Sequence, residues 1–180
     1  MKRINIIGTS GSGKTTFARR LAEKLSVPYI EMDEVFWLPN WTQPTDDVFL
    51  KKLRERLVGD AWVLDGNYNR SVPVKWKNVE LVVWMDYSFT RTLSQIFLRS
   101  ISRVTSRKEM WPGTGNRESF LRLFHREDSI LWWMITTHGS NRIRNQKLIS
   151  NANFAKIRFV RLRNPREAEN FLASVSLEPL

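Results

Sequence analysis

The chain contains no cysteine and only 2 histidines in 180 residues. The missing thiols exclude disulfides and thiolate zinc sites and fit a reducing compartment. His125 and His138 stand alone, without metal-ligand spacing. Long apolar runs are also missing. The longest reaches from Ile130 to Ile135, too short to span a bilayer. Lys2 and Arg3 open the chain, but Gly8 to Lys14 interrupts the apolar run too early for a secretory signal. We therefore expect a cytoplasmic protein without membrane contact. Acidic residues are scarce: 18 Asp and Glu face 29 Lys and Arg, a net charge of +11. From Arg142 to Arg166 there are 8 basic residues and no acidic one. That surplus fits a solvated surface, attraction of polyanionic substrates such as nucleotides, or contact with nucleic acid backbone. Composition does not choose among them. Hydrophobic content of 42% suits one domain over residues 1–180.

Glycine is sparse too, 8 in all, yet Gly8, Gly11 and Gly13 fall within one stretch. Gly8-Thr9-Ser10-Gly11-Ser12-Gly13-Lys14-Thr15 matches G-x-x-x-x-G-K-[ST], the phosphate-binding loop. Ile4 to Ile7 before it reads as a buried strand. Thr16 to Leu25 after it reads as a helix, with Ala18, Leu21, Ala22 and Leu25 on one face. The glycines let the backbone turn its N–H groups inward as an anion nest. The helix N-terminus adds partial positive charge. Ser10, Ser12 and Thr16 share the cradle. Lys14 then reaches the β- and γ-phosphates, and the Thr15 hydroxyl suits Mg²⁺. The pattern predicts binding of a nucleoside triphosphate.

The rest alternates strand and helix. Tyr29 to Met32 predicts a second strand ending at Asp33-Glu34, at the edge where doubly wound sheets bind ligands. Asp33 there suits a substrate hydroxyl, metal-bound water or a helix cap. Trp37 and Trp41 fit either stacking on a planar substrate or a local hydrophobic lid. Thr45 to Val58 predicts an amphipathic helix, with Gly59 as its stop. Ala61 to Asp65 is an apolar strand ending in an acid, the Walker B arrangement that holds Mg²⁺ through water. Arg70 beyond it suits phosphate clamping. Leu81 to Met85 predicts strand four. A helix then runs to about Ser106, with Leu93, Ile96, Phe97, Ile101 and Val104 as its buried stripe. Arg99, Arg103 and Arg107 share one face. Like charges stacked this way repel, which polyphosphate nearby offsets. Residues 105–117, rich in Pro and Gly, predict a mobile flap. Glu118 to about Thr137 predicts a helix carrying Arg122 and Arg126, with Trp132 and Trp133 in the core. Ser140 to Ser150 predicts a separate short helix. Lys156 to Leu162 predicts strand five. Asn164-Pro165-Arg166-Glu167 opens the last helix as N-cap, N1 and N3. Five strands alternating with helices predict an α/β fold with a parallel sheet covered on both faces.

This layout resembles the adenylate-kinase-like superfamily of small P-loop kinases, which includes shikimate kinases. The resemblance implies a three-layer fold with a lid between strands four and five, here at 105–117. It implies ATP and Mg²⁺ as donor and cofactor, with Arg99, Arg103 and Arg122 closing on the transferring phosphoryl. Asp65 would back Thr15 at the metal. Asp33, Trp37 and Arg70, within or just beyond an acceptor-binding segment at 33–60, would orient the acceptor. Asp65 to Arg70 is similar to the D-G-F-P-R segment of adenylate kinases, one residue longer and without the Phe-Pro. The Asn164-Pro165 turn resembles the superfamily's adenine loop. Met32 to Trp37, Trp62 to Tyr68 and Arg161 to Asn164 resemble most closely the bacterial DNA topology modulation (FlaR-related) group. A small-molecule kinase is thus expected, with nucleic acid the alternative partner. The sequence leaves acceptor and oligomeric state open.

Overall fold

Five short segments form the strands β1 (Arg3–Gly8), β2 (Tyr29–Glu31), β3 (Trp62–Asp65), β4 (Leu81–Met85) and β5 (Arg158–Leu162). They make one sheet in the order β2-β3-β1-β4-β5. Every pairing is parallel. The central strands β1, β3 and β4 are buried almost throughout because helices cover both faces. The edge strands β2 and β5 carry Glu31, Arg158 and Arg161 and are only partly buried. The structure, a computed structural model, describes residues 2–106, 109–117 and 129–175. Its helices are α1 (Lys14–Lys24), α2 (Met32–Phe36), α3 (Asp46–Arg56), α4 (Val72–Lys75), α5 (Phe89–Ser106), α6 (Ile130–Ile149) and α7 (Pro165–Ser174). No helix of the described residues is long and apolar enough to cross a membrane.

Strand alternation divides the core in two. Ile4, Ile6, Val63, Val83 and Met85 face α1 and α7, where Phe17, Leu21 and Leu172 are buried. Ile7, Leu64, Val82 and Trp84 face the other way, toward Phe36, Phe49, Leu53 and Trp76. Asn5 lies among this second set. Its Nδ2 donates to the Leu64 and Gly66 carbonyls at 3.0 and 3.3 Å, and its Oδ1 accepts from Trp76 Nε1 at 2.9 Å. A buried amide is tolerated when its groups are satisfied in this way.

Several expectations need correction. The inward stripe of α5 is Thr92, Ile96, Ser100 and Val104, while Phe97 and Ile101 are exposed. The reason is the phosphate loop, which packs on this face. A Cβ on Gly11 would stand 2.8 Å from Ile96 Cβ and 2.9 Å from the Thr92 carbonyl. A side chain on Gly11 does not fit there, and Gly11 itself has φ +84, which only glycine adopts cheaply. Residues 130–149 form one helix through Gly139, not two. The expected helix at Glu118 falls mostly on 118–128, outside the described residues. Trp132 and Trp133 are exposed rather than core, since α6 buries Met134, Asn141 and Asn145 instead. Trp76 and Trp111 are buried. Met32 begins α2 instead of ending β2.

Phe49 is fully buried and packs edge-on against Phe36, with ring centroids 5.1 Å apart. Truncation leaves a cavity that its neighbours close only partly. Phe49→Ala should therefore cost about 3–5 kcal/mol, read as a lowered urea midpoint with an unchanged slope.

Candidate functional site

A cavity of about 590 Å³ lies where β1, β2 and β3 end. Gly8, Ser10, Lys14 and Thr15 line one side, joined by Arg99 and Arg103 from α5. Asp33, Trp37, Trp41, Tyr68 and Arg70 line the other. Local folding explains the first group. β1 ends at Gly8, and Gly13 precedes α1 in a left-handed conformation with no side-chain cap. The leading N–H groups of α1 are thus left to a ligand. Arg99 Nη2 donates to Ser10 Oγ at 3.1 Å, fastening α5 to the loop.

Asp65 closes this side from beneath. The Thr15 hydroxyl donates to its Oδ2 at 2.5 Å, and the Tyr29 hydroxyl lies 3.2 Å from the same oxygen. Oδ1 is buried without a hydrogen-bond partner. Burial pushes the Asp65 carboxyl up, while the Lys14 charge and the Thr15 bond pull it down. An unpartnered buried carboxylate oxygen beside a hydroxyl fits a hard divalent cation. Among the described residues no cluster of three acidic, histidine or cysteine side chains could hold a metal alone. Thr15 and Asp65 therefore fit Mg²⁺ brought in with phosphate oxygens.

On the opposite side the Tyr68 hydroxyl donates to Asp33 Oδ1 at 2.7 Å. Burial and the Asp33 charge hold Tyr68 protonated. Arg70 pairs with Asp46 at 2.5 Å and lies 4.8 Å over the Phe36 ring. Residues 109–117 are fastened to this side. Asn116 Nδ2 donates to the Leu38 carbonyl at 3.0 Å, and its Oδ1 accepts from Trp41 N at 2.9 Å. Trp111 lies stacked with Trp37, centroids 6.2 Å apart, and donates its indole N–H to Glu31 Oε1 at 3.0 Å.

The cavity thus gathers Gly8, Ser10, Lys14, Thr15, Asp33, Trp37, Arg70, Arg99 and Arg103, with Asp65 bonded to Thr15. Gly11, Ser12, Gly13 and Thr16 are not among its lining residues. Gly11 and Ser12 are buried, and Thr16 is exposed on the first turn of α1. Asn164 lies apart as well. Its side chain caps α7, accepting from Glu167 N at 3.0 Å. Arg122 lies outside the described residues. Glu31, Trp133 and Arg144 also line the cavity, and sequence reading missed them. Glu31 had a signal: it shares a strand face with Tyr29 and ends β2. Arg144 had none beyond its place in a basic run. Part of that run is neutralised locally, since Arg142 and Arg161 both pair with the buried Asp86.

The fold and loop together define a P-loop kinase architecture. The solved shikimate kinase of Bacteroides thetaiotaomicron matches with a TM-score of 0.55 at 15% identity, covering 96% of this chain and 94% of that one. The shikimate kinase of Acinetobacter baumannii in complex with shikimate matches with a TM-score of 0.55 at 16% identity, covering 96% and 89%. That likeness is one of fold. In sequence, the shikimate kinase family profile matches residues 10–55. A 74-residue segment is 36% identical to a cytidylate kinase of Nitratidesulfovibrio vulgaris, covering 40% of this chain and 32% of that protein. A 67-residue segment is 30% identical to the uncharacterized protein YqaC of Bacillus subtilis, covering 36% and 38%. The chain therefore matches about a third of the length of these curated relatives.

Beneath the turn after β3 sits Lys75, fully buried, its Nζ 3.5 Å from the Gly66 carbonyl. Burial, aided by the Arg144 charge, pushes its ammonium down to about 7. The unfolded chain holds this proton up to the ordinary lysine range, so between about pH 7 and 10 unfolding takes up a proton. Stability from this site therefore rises with pH across that window and is flat below it. Lys75→Met should stabilise the fold by roughly 3 kcal/mol at pH 7. That gain should shrink toward pH 10, as measured by urea unfolding of both proteins at each pH.

Proposed function

We propose that this chain is a Mg-ATP-dependent phosphotransferase that moves the γ-phosphoryl group to a small acceptor, a nucleotide or a hydroxylated metabolite. One observation carries this reading: a single cavity joins Lys14, Thr15, Arg99 and Arg103 to Asp33, Tyr68, Arg70 and Trp37. Cations that suit a triphosphate thus face a carboxylate, a phenol and an aromatic wall that suit an acceptor. A domain that only hydrolysed ATP would need no second half.

Lys14 and the loop amides hold the β- and γ-phosphates. Mg²⁺, held by Thr15 with Asp65 behind it, supplies charge neutralisation on the phosphate oxygens. An acceptor oxygen attacks the γ-phosphorus, the bond to the β–γ bridging oxygen breaks, and ADP leaves. Asp33 orients the acceptor. Where the attacking oxygen is a hydroxyl, Asp33 accepts its hydrogen bond and takes its proton; where it is a phosphate oxygen, no proton is released. Arg99 and Arg103, with Arg122, neutralise charge spread over the transferring group. Residues 105–117 act as the lid that excludes water. The backbone of the Asn164-Pro165 turn borders the adenine. The resemblance to the topology modulation group concerns the D-x-x-x-W and D-G-N-Y segments, and both border the acceptor half of the cavity. We weigh those motifs above the DNA role in that group's name.

ADP release from Mg-ATP should rise at least tenfold or so with one member of a panel of nucleoside monophosphates and hydroxylated acids. Lys14→Ala should remove that stimulation, and Arg99→Ala should lower it by about 10²–10³. A panel that never stimulates, or stimulation indifferent to Lys14, contradicts the reading.

A further inference from the structure

A chain of hydrogen bonds runs beneath the cavity from the phosphate loop to Trp111. Thr15 donates to Asp65 Oδ2 at 2.5 Å. The Tyr29 hydroxyl lies 3.2 Å from that same oxygen and 3.1 Å from Glu31 Oε2. Glu31 Oε1 accepts the Trp111 indole N–H at 3.0 Å. Trp111 in turn packs on Trp37 and Trp41 at the acceptor side.

The sheet dictates this arrangement. The parallel register sets Glu31 opposite Asp65. Tyr29 stands two residues before Glu31, so both side chains leave the same face. Two carboxylates therefore flank one phenol. A phenol has a single proton, so Tyr29 donates to Asp65 or to Glu31, not to both. Burial keeps that proton on Tyr29. Arg19 donates to Glu31 Oε2 at 3.1 Å and lies over the Tyr29 ring.

We propose that Tyr29 and Glu31 are positioning residues that couple loading of the phosphate loop to the seating of Trp111 against the acceptor half. This rests on the nucleotide reading above. Asp65 facing a cation no longer needs a donor from Tyr29. The Tyr29 proton then turns to Glu31 and orients its carboxylate, so that Oε1 meets the Trp111 N–H. Glu31 then adds a hydrogen bond to the seat that Trp37, Trp41 and Asn116 already give this segment. By linkage, seating Trp111 must tighten Mg-ATP by the same factor. A double-mutant cycle on binding measures the coupling directly.

Mg-ATP binding to the whole chain is measured by calorimetry in four proteins: wild type, Trp111→Phe, Tyr29→Phe and the double variant. Tyr29→Phe removes only the hydroxyl. Trp111→Phe keeps an aromatic ring but loses both the indole N–H and part of the stacking surface, so the readout is the difference between the two backgrounds. Trp111→Phe should weaken Mg-ATP about fivefold in the wild-type background. In the Tyr29→Phe background it should change the affinity less than about twofold. Glu31→Ala should silence Trp111→Phe in the same way. Equal effects of Trp111→Phe in both backgrounds, or none in either, overturn the coupling and leave the nucleotide reading intact. Wild-type protein that binds no Mg-ATP overturns both.

Discussion

The register of β3 between its neighbours governs the whole carboxyl edge of the sheet. Asp65 lies opposite Ile6 on one side and Glu31 on the other. Because β1 runs straight from Ile6 into the phosphate loop, Asp65 falls within reach of the Thr15 hydroxyl. Because β2 ends at Glu31, a second carboxylate falls beside the first. A slip of one residue would turn Asp65 to the opposite face and leave Thr15 without its partner. The apolar runs of β1 and β3, buried on both faces, make such a slip costly.

That edge concentrates groups which a stable core would avoid. Asp65 and Lys75 are almost fully buried, and Asn5 sits among aliphatic side chains. Each is tolerated through specific partners: Thr15 and Tyr29 for Asp65, the Gly66 carbonyl for Lys75, Trp76 and two carbonyls for Asn5. Gly66 is the point where these meet. It accepts from Asn5 and Lys75, and its own Cβ position would collide with Met32 at 2.5 Å. The turn that carries Asn67, Tyr68 and Arg70 into the cavity is thereby held from below and from the side.

Much of this fold is legible in local pattern. Leu81 to Met85 forms a strand over the range expected, since an unbroken apolar run between turn residues has few other uses. The phosphate loop is legible because its glycines and Lys14 act within eight residues of one another. The final helix is legible from Asn164, Pro165 and Glu167, whose capping bonds are local too. What escapes is set by distant packing. The inward face of α5 turns on Thr92 and Ile96, because the phosphate loop, about 80 residues earlier in sequence, packs there. Trp132 and Trp133 are apolar yet exposed, since the position of α6 favours Asn141 and Asn145 inward. The approach of Tyr29, Glu31 and Trp111 depends on strand register and on where residues 109–117 dock. No spacing in the sequence encodes either.

A P-loop opposite a second, differently equipped wall makes the central claim one about transfer rather than hydrolysis. The most direct measurement follows γ-labelled ATP through a deproteinised pool of small metabolites with the whole chain and Mg²⁺. The account predicts label in a low-mass organic phosphate, absent with Lys14→Ala. Label found only as inorganic phosphate, at a rate the metabolites do not change, would contradict it.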